Sequence, residues 1–229
     1  MDMRSGNLVV QIALALSAAS ALIYEVVVTD QLFFYFIESS YSLATVLSVF
    51  LFGLGVGSLS IYFLSSKIEN PRKLFGFLQL FIAVYAFFVL TNLTNIIGKI
   101  STLGTFVTSF ILLLVPTLFL GAIFPLTSLV FKRRTRDVTG LIYSFDLFGA
   151  IAGSLIAGFV LLPFYGAKVA IIVGGALNLV SSFLIFPRGN KKIAMFSIVL
   201  IFLLIFFLLL NLLMEIPKDW SLRVLLLMG

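Results

Sequence analysis

The 229-residue chain contains no cysteine, no histidine, a single tryptophan and very little charge, with only 10% of its residues being Asp, Glu, Lys or Arg. The first absence excludes disulfides and thiolate chemistry, the second excludes imidazole acid-base catalysis, and together they remove the usual zinc sites. Soluble domains carry charge on about a quarter of their residues, so a chain this poor in charge is not built for water on all sides. What is present instead is 62% hydrophobic residues and a mean hydropathy of +1.23, the composition of an integral, multi-pass membrane protein.

A helix needs about 20 mostly apolar residues to cross the hydrocarbon core. Seven runs of that kind are separated by polar punctuation: Leu8 to Phe36, Ser42 to Ser65, Leu74 to Leu93, Leu103 to Phe131, Val138 to Pro163, Ala167 to Phe186 and Ile193 to Met214. The first run is longer than the apolar region of a signal peptide and has no A-x-A-type exit, so it is expected to be a span rather than a leader. The third ends before the polar "TNIIGK" with Asn95 and Lys99.

The net charge of +6 could suggest a nucleic-acid partner, but the positions of the basic residues have a simpler reading. Short loops rich in Lys and Arg stay in the cytoplasm. Arg4 precedes the first span, "KIENPRK" (Lys67, Arg72, Lys73) follows the second, "KRRTRD" (Lys132, Arg133, Arg134, Arg136) the fourth and "RGNKK" (Arg188, Lys191, Lys192) the sixth, whereas the alternate connections hold only Lys99 and Lys168. This alternation predicts a cell-membrane protein with a cytoplasmic N-terminus and an extracytoplasmic C-terminus, whose surroundings are the lipid bilayer and not nucleic acid.

Three of the nine acidic residues, Glu25, Asp30 and Asp146, fall inside spans, where no basic residue stands ready to meet them. Ionised and alone in hydrocarbon, each would cost at least about 2.5 kcal/mol on insertion scales, so each should face a protein interior or a watery cavity. There it is protonated, hydrogen-bonded or matched by a bound cation. Counting 1.5 Å per residue from the cytoplasmic end places Glu25 outside the bilayer centre and Asp146 inside it, as successive points on one polar path rather than as a pair. Tyr24, Tyr143, Ser144, Thr29 and Gln31 are available partners, and Asp30 is close enough to the outer surface to be partly hydrated. Two roles remain open for the carboxyls: a cation or proton site, or protonated groups that lock one helix to another. Pro116 and Pro125 in the fourth span free backbone carbonyls and are expected to shape that helix.

Spans two and five share a pattern: "FLFGLGVGS" and "DLFGAIAGS" both contain F-G-x-x-x-G-S. Gly53 with Gly57, and Gly149 with Gly153, have the small-xxx-small spacing that lets helix backbones approach closely in lipid. Each copy occupies the middle helix of a three-span group, and the two groups run in opposite directions, the arrangement of inverted repeats in secondary transporters. The expected fold is therefore an all-α membrane protein of seven helices. Residues 1–192 form a six-helix domain resembling half a major-facilitator fold, with repeats over about 1–101 and 102–192, followed by a seventh helix over 193–214 and a short tail over 215–229.

"ALIYEVVVT", "SSYSLATVLSVFLFGLGVGS", "PTLFLGAIFPL" and "LIYSFDLFGAIAGSLIAGFVLLPFYG" carry a further signal. In order and spacing they resemble the membrane domain of spermidine synthase-like membrane proteins, in which a hydrophobic, often major-facilitator-like domain is fused ahead of a soluble aminopropyltransferase-type domain. Two departures stand out. Asp30 replaces the basic residue that commonly follows the Thr of the first motif. The glycine-rich strand-turn-helix unit that holds decarboxylated S-adenosylmethionine in the soluble domain is missing from this chain, because Gly149 to Gly153 lies within a lipid-length apolar helix. No catalytic motif is found and no cofactor is expected. The tail from Glu215 resembles the linker before the catalytic domain, which leaves open both a chain that stands alone and one that continues.

The resemblance implies a cationic ligand, such as a polyamine or a proton, met by Glu25, Asp146 and Asp30 with Tyr24 and Tyr143. Under that transporter-like reading the six helices form a half-unit completed by a second copy, so a homodimer is expected. The alternatives are a membrane anchor or partner of an aminopropyltransferase-like enzyme, or a structural subunit of a membrane complex.

Overall fold

The computed structural model describes residues 3–36, 39–97, 102–131 and 136–186, and every regular element among them is helical. In chain order these are α1 (Met3–Phe33), α2 (Ser39–Leu64), α3 (Pro71–Phe88), α4 (Leu93–Ile97), α5 (Thr102–Val130), α6 (Arg136–Ile156) and α7 (Leu162–Ile185). Five stretches are long and apolar enough to cross a membrane: Leu8–Phe33, Ser40–Lys67, Pro71–Ile97, Gly104–Val130 and Thr139–Ile185. The expected seventh helix and the tail lie outside the described residues.

The last stretch has 47 residues, about twice what a bilayer requires, and consists of two arms. Gly166 has φ +77°, a value that suits glycine, and the chain turns there. Contacts along α1 establish the reversal. On α6 a Cβ at Gly149 would run into the backbone of Ala15 and one at Gly153 into that of Ala19, so α6 runs parallel to α1. On α7 Gly174 abuts the Tyr24 ring, while the Ser181 hydroxyl donates to the Ala13 carbonyl at 2.7 Å, so α7 runs antiparallel. Between the arms, a single π-turn over Ala157–Leu161 comes just before Pro163, which has no N–H to return to the Phe159 carbonyl. Lys168 stands exposed in the first turn after Gly166 rather than in the connection itself.

The third span runs beyond its expected end at Leu93. A 3₁₀ turn over Leu90–Asn92 leads into α4, which takes in Thr94 and Asn95 of the polar stretch that suggested a stop. Thr91 donates to the Phe87 carbonyl, and Asn92 donates to that of Phe88 at 3.1 Å. α5 likewise continues through both of its prolines. Pro116 cannot donate to the Leu112 carbonyl four residues back, and the Tyr85 hydroxyl of α3 takes that place at 2.8 Å.

α1 is the central helix: 61% of its most apolar stretch is buried against 22–44% in the other four. It packs against α2, α5, α6 and α7, while α3 packs on α5 and α7. Two parallel pairs come closest together, and glycine permits both. α6 lies on α1 at Gly149 and Gly153. α2 lies on α5 where a Cβ at Gly53 would strike Thr117 and one at Gly57 the Leu118 carbonyl, with Gly121 returning the contact against Leu54. In lipid, dispersion between such closely apposed backbones is what favours association.

Candidate functional site: a cavity between two helix pairs

Where the α1/α6 pair meets the α2/α5 pair, the helices part to leave a cavity of about 390 Å³. Its walls are largely apolar, including Ala18 and Leu22 from α1, Leu54 from α2, and Leu120 and Phe124 from α5. Four polar side chains reach it: Ser17, Ser58, Tyr143 and Asp146. Tyr143 and Asp146 are one turn apart on α6 and so share a face. The Tyr143 ring meets Phe124 edge to face, with centroids 6.5 Å apart, at the one point where α5 and α6 touch through aromatic rings.

The polar atoms of this cavity are poorly committed within the protein. Among the described residues, the side chains of Asp146, Tyr143 and Ser58 have no hydrogen-bond partner, and the cavity wall contains no Lys or Arg to oppose Asp146. Gly121 also lines the cavity, one turn before Pro125 on α5. Asp146 and Ser58 are half-buried and Tyr143 is exposed, so their uncommitted polar atoms converge on an open, mainly apolar hollow with room for a polar guest.

Ser17 belongs to a second feature as well. Its Oγ accepts a hydrogen bond from Gln79 Nε2 of α3 at 2.5 Å. One turn along, Ser20 donates to Asn178 Oδ1 of α7, and Asn178 Nδ2 donates to the Tyr24 hydroxyl at 2.8 Å. Gln79, Ser20 and Asn178 are fully buried, and Gln79 Oε1 has no partner among the described residues. This network joins α1, α3 and α7 inside the bundle. One of its members, Ser17, also borders the cavity.

The five acidic and phenolic residues singled out in the sequence are therefore distributed over three places. Asp146 and Tyr143 share the cavity. Tyr24 is 1% exposed inside the polar network, its ring accommodated by Gly174, and does not line the cavity. Glu25 is half-buried on the α1 face that carries Ala18 and Leu22, and Asp30 is exposed near the end of α1. Given the register set by Gly149 against Ala15, Asp146 is level with Ile12, so Glu25 lies 13 residues farther along the axis, about 20 Å at 1.5 Å per residue. Ser17, Ser58, Gly121, Gln79 and Asn178 were not anticipated. The two amides were the readable signal, since each interrupts an otherwise apolar run, "FLQLFIAVY" and "GGALNLV".

Over 196 residues the chain is 26% identical to polyamine aminopropyltransferase 1 of Streptomyces coelicolor (strain ATCC BAA-471 / A3(2) / M145). The match takes in 80% of this chain but spans only 34% of that protein's length. No protein-family profile matches the chain. No solved structure matches it either. The distant similarity and the membrane-length helices together describe a helical membrane protein related in sequence to part of a polyamine-associated enzyme.

Proposed function

We propose that this protein is a cell-membrane module that binds a small cation in the cavity between its two helix pairs, with Asp146 as the counter-charge and Tyr143 at its side. The observation that carries the reading is the unopposed Asp146 carboxyl in a 390 Å³ cavity between helices of membrane-spanning length. A carboxyl so placed costs several kcal/mol to keep ionised unless a cation joins it. Polyamines enter as candidates because the similar Streptomyces protein is named for them; protons and other small cations compete for the same group.

The architecture supports a transporter-like ancestry. Both copies of F-G-x-x-x-G-S contact the first helix of the opposite three-helix group, α2 on α5 and α6 on α1, which is the exchange a two-fold inverted repeat produces. In this reading the N-terminus is cytoplasmic and a second copy completes the half-unit. Glu25 and Asp30 mark the outward continuation of the polar path.

A second reading is favoured by one observation, the 34% coverage of the similar enzyme. Here the chain is the membrane anchor or partner of an aminopropyltransferase-like catalytic unit and supplies no catalytic residue itself. Thermal unfolding of the purified protein with n-butylamine, spermidine, putrescine or varied pH, alone and with Asp146→Asn, separates the two. The cation reading predicts ligand-dependent stabilisation that the substitution removes. Absence of any stabilisation, with Asp146→Asn merely melting lower, would refute it and turn attention to a protein partner.

A further inference from the structure

We infer that the cavity is matched to an organic monocation, one primary ammonium group on a short apolar body, and not to a di- or polycation. The inference rests on the cavity being a cation site and narrows what that cation is.

Charge is the first argument. Among the described residues, Asp146 is the single acidic one on the cavity wall. Glu25 is about 20 Å away along the bundle axis at 1.5 Å per residue, and Asp30 is farther still. One ammonium group finds a counter-charge. A second on the same molecule would find only Ala18, Leu22, Leu54 and Leu120 along the wall and no carboxylate to neutralise it, so the wall returns nothing for the second charge.

Hydrogen bonding is the second argument. A primary ammonium carries three donors in a compact head. The cavity offers acceptors of the matching kind in the Asp146 carboxyl and the Ser58 hydroxyl. Because Ser17 Oγ already accepts from Gln79, its own hydrogen is the part left uncommitted. A quaternary ammonium could satisfy the charge of Asp146 but has no N–H to donate to its carboxyl oxygens or to the Ser58 hydroxyl. The remaining wall is methyl, methylene and aromatic surface, which suits a short alkyl chain and not a second polar end.

The test is titration calorimetry on the whole protein in lipid nanodiscs, with n-butylamine, butyltrimethylammonium, 1,4-diaminobutane, spermidine and sodium as separate probes, repeated with Asp146→Asn. The comparison among ligands is made on the unaltered protein and so does not depend on how the variant folds. Butylamine is expected to bind at least about tenfold more tightly than either the diamine or the quaternary ion, a difference of about 1.4 kcal/mol, and to lose that binding in the variant. Diaminobutane or spermidine binding as tightly as butylamine would overturn this inference while leaving the cation site standing. So would butyltrimethylammonium binding as tightly. Sodium bound in place of every amine would overturn it as well. No heat with any probe would overturn the inference and the cation site together.

Discussion

Tyr85 shows how one side chain can compensate for a covalent gap. Pro116 removes the donor from the Leu112 carbonyl, and the Tyr85 hydroxyl replaces it from a neighbouring helix at 2.8 Å. Tyr85→Phe should lower stability by about 1 kcal/mol, and by clearly less in a Pro116→Ala background, where the helix can supply its own N–H. Equal losses in both backgrounds, measured by thermal unfolding, would contradict the assignment. The same scale explains which site residues were legible. Carboxyls in apolar runs announce themselves, and Asp146 was found that way. Ser17 and Ser58 did not, because hydroxyls in membrane helices commonly bond back to their own backbone, as Thr117 does to Leu113 at 2.8 Å. Only the packing reveals which of them turn toward an open space.

At the scale of elements, glycines separate into contacts and bystanders. Gly149 and Gly153 have the α1 backbone against them, and Gly53 and Gly57 have α5, whereas a Cβ at Gly55 or Gly158 meets nothing within 4 Å. Gly149→Leu or Gly153→Leu should therefore force α6 from α1 and cost about 1–3 kcal/mol or more, as overpacking does. Gly55→Ala should leave the melting temperature nearly unchanged. A melting shift for Gly55→Ala as large as that for Gly149→Leu would show that the close pairs do not hold the bundle. The helix ends were less readable than the helices. "TNIIGK" reads as a stop, yet its residues Thr94 to Ile97 continue as α4, with the Thr94 carbonyl accepting from the Tyr35 hydroxyl at 3.2 Å. The turn at Gly166 was legible, because Pro163 and Gly166 interrupt an apolar run too long for one crossing.

For the whole molecule, the absence of cysteine becomes an experimental advantage, since any introduced thiol is the sole one. The proposed topology predicts that single cysteines beside Lys67 and beside Lys168 are labelled from opposite sides of a sealed membrane. Labelling of both from the same side would refute the orientation. The class of molecule was legible from composition alone. The cavity was not, because it arises where two glycine-packed pairs fail to close on each other, a consequence of four helices at once. Its central claim is tested most directly by labelling intramembrane carboxyls with a hydrophobic carbodiimide and reading each residue by mass spectrometry, with and without saturating n-butylamine and spermidine. The account predicts that Asp146 is labelled and is protected by a bound amine, while labelling of Glu25, about 20 Å away along the axis, is unchanged. Labelling of Asp146 that no amine diminishes would contradict it.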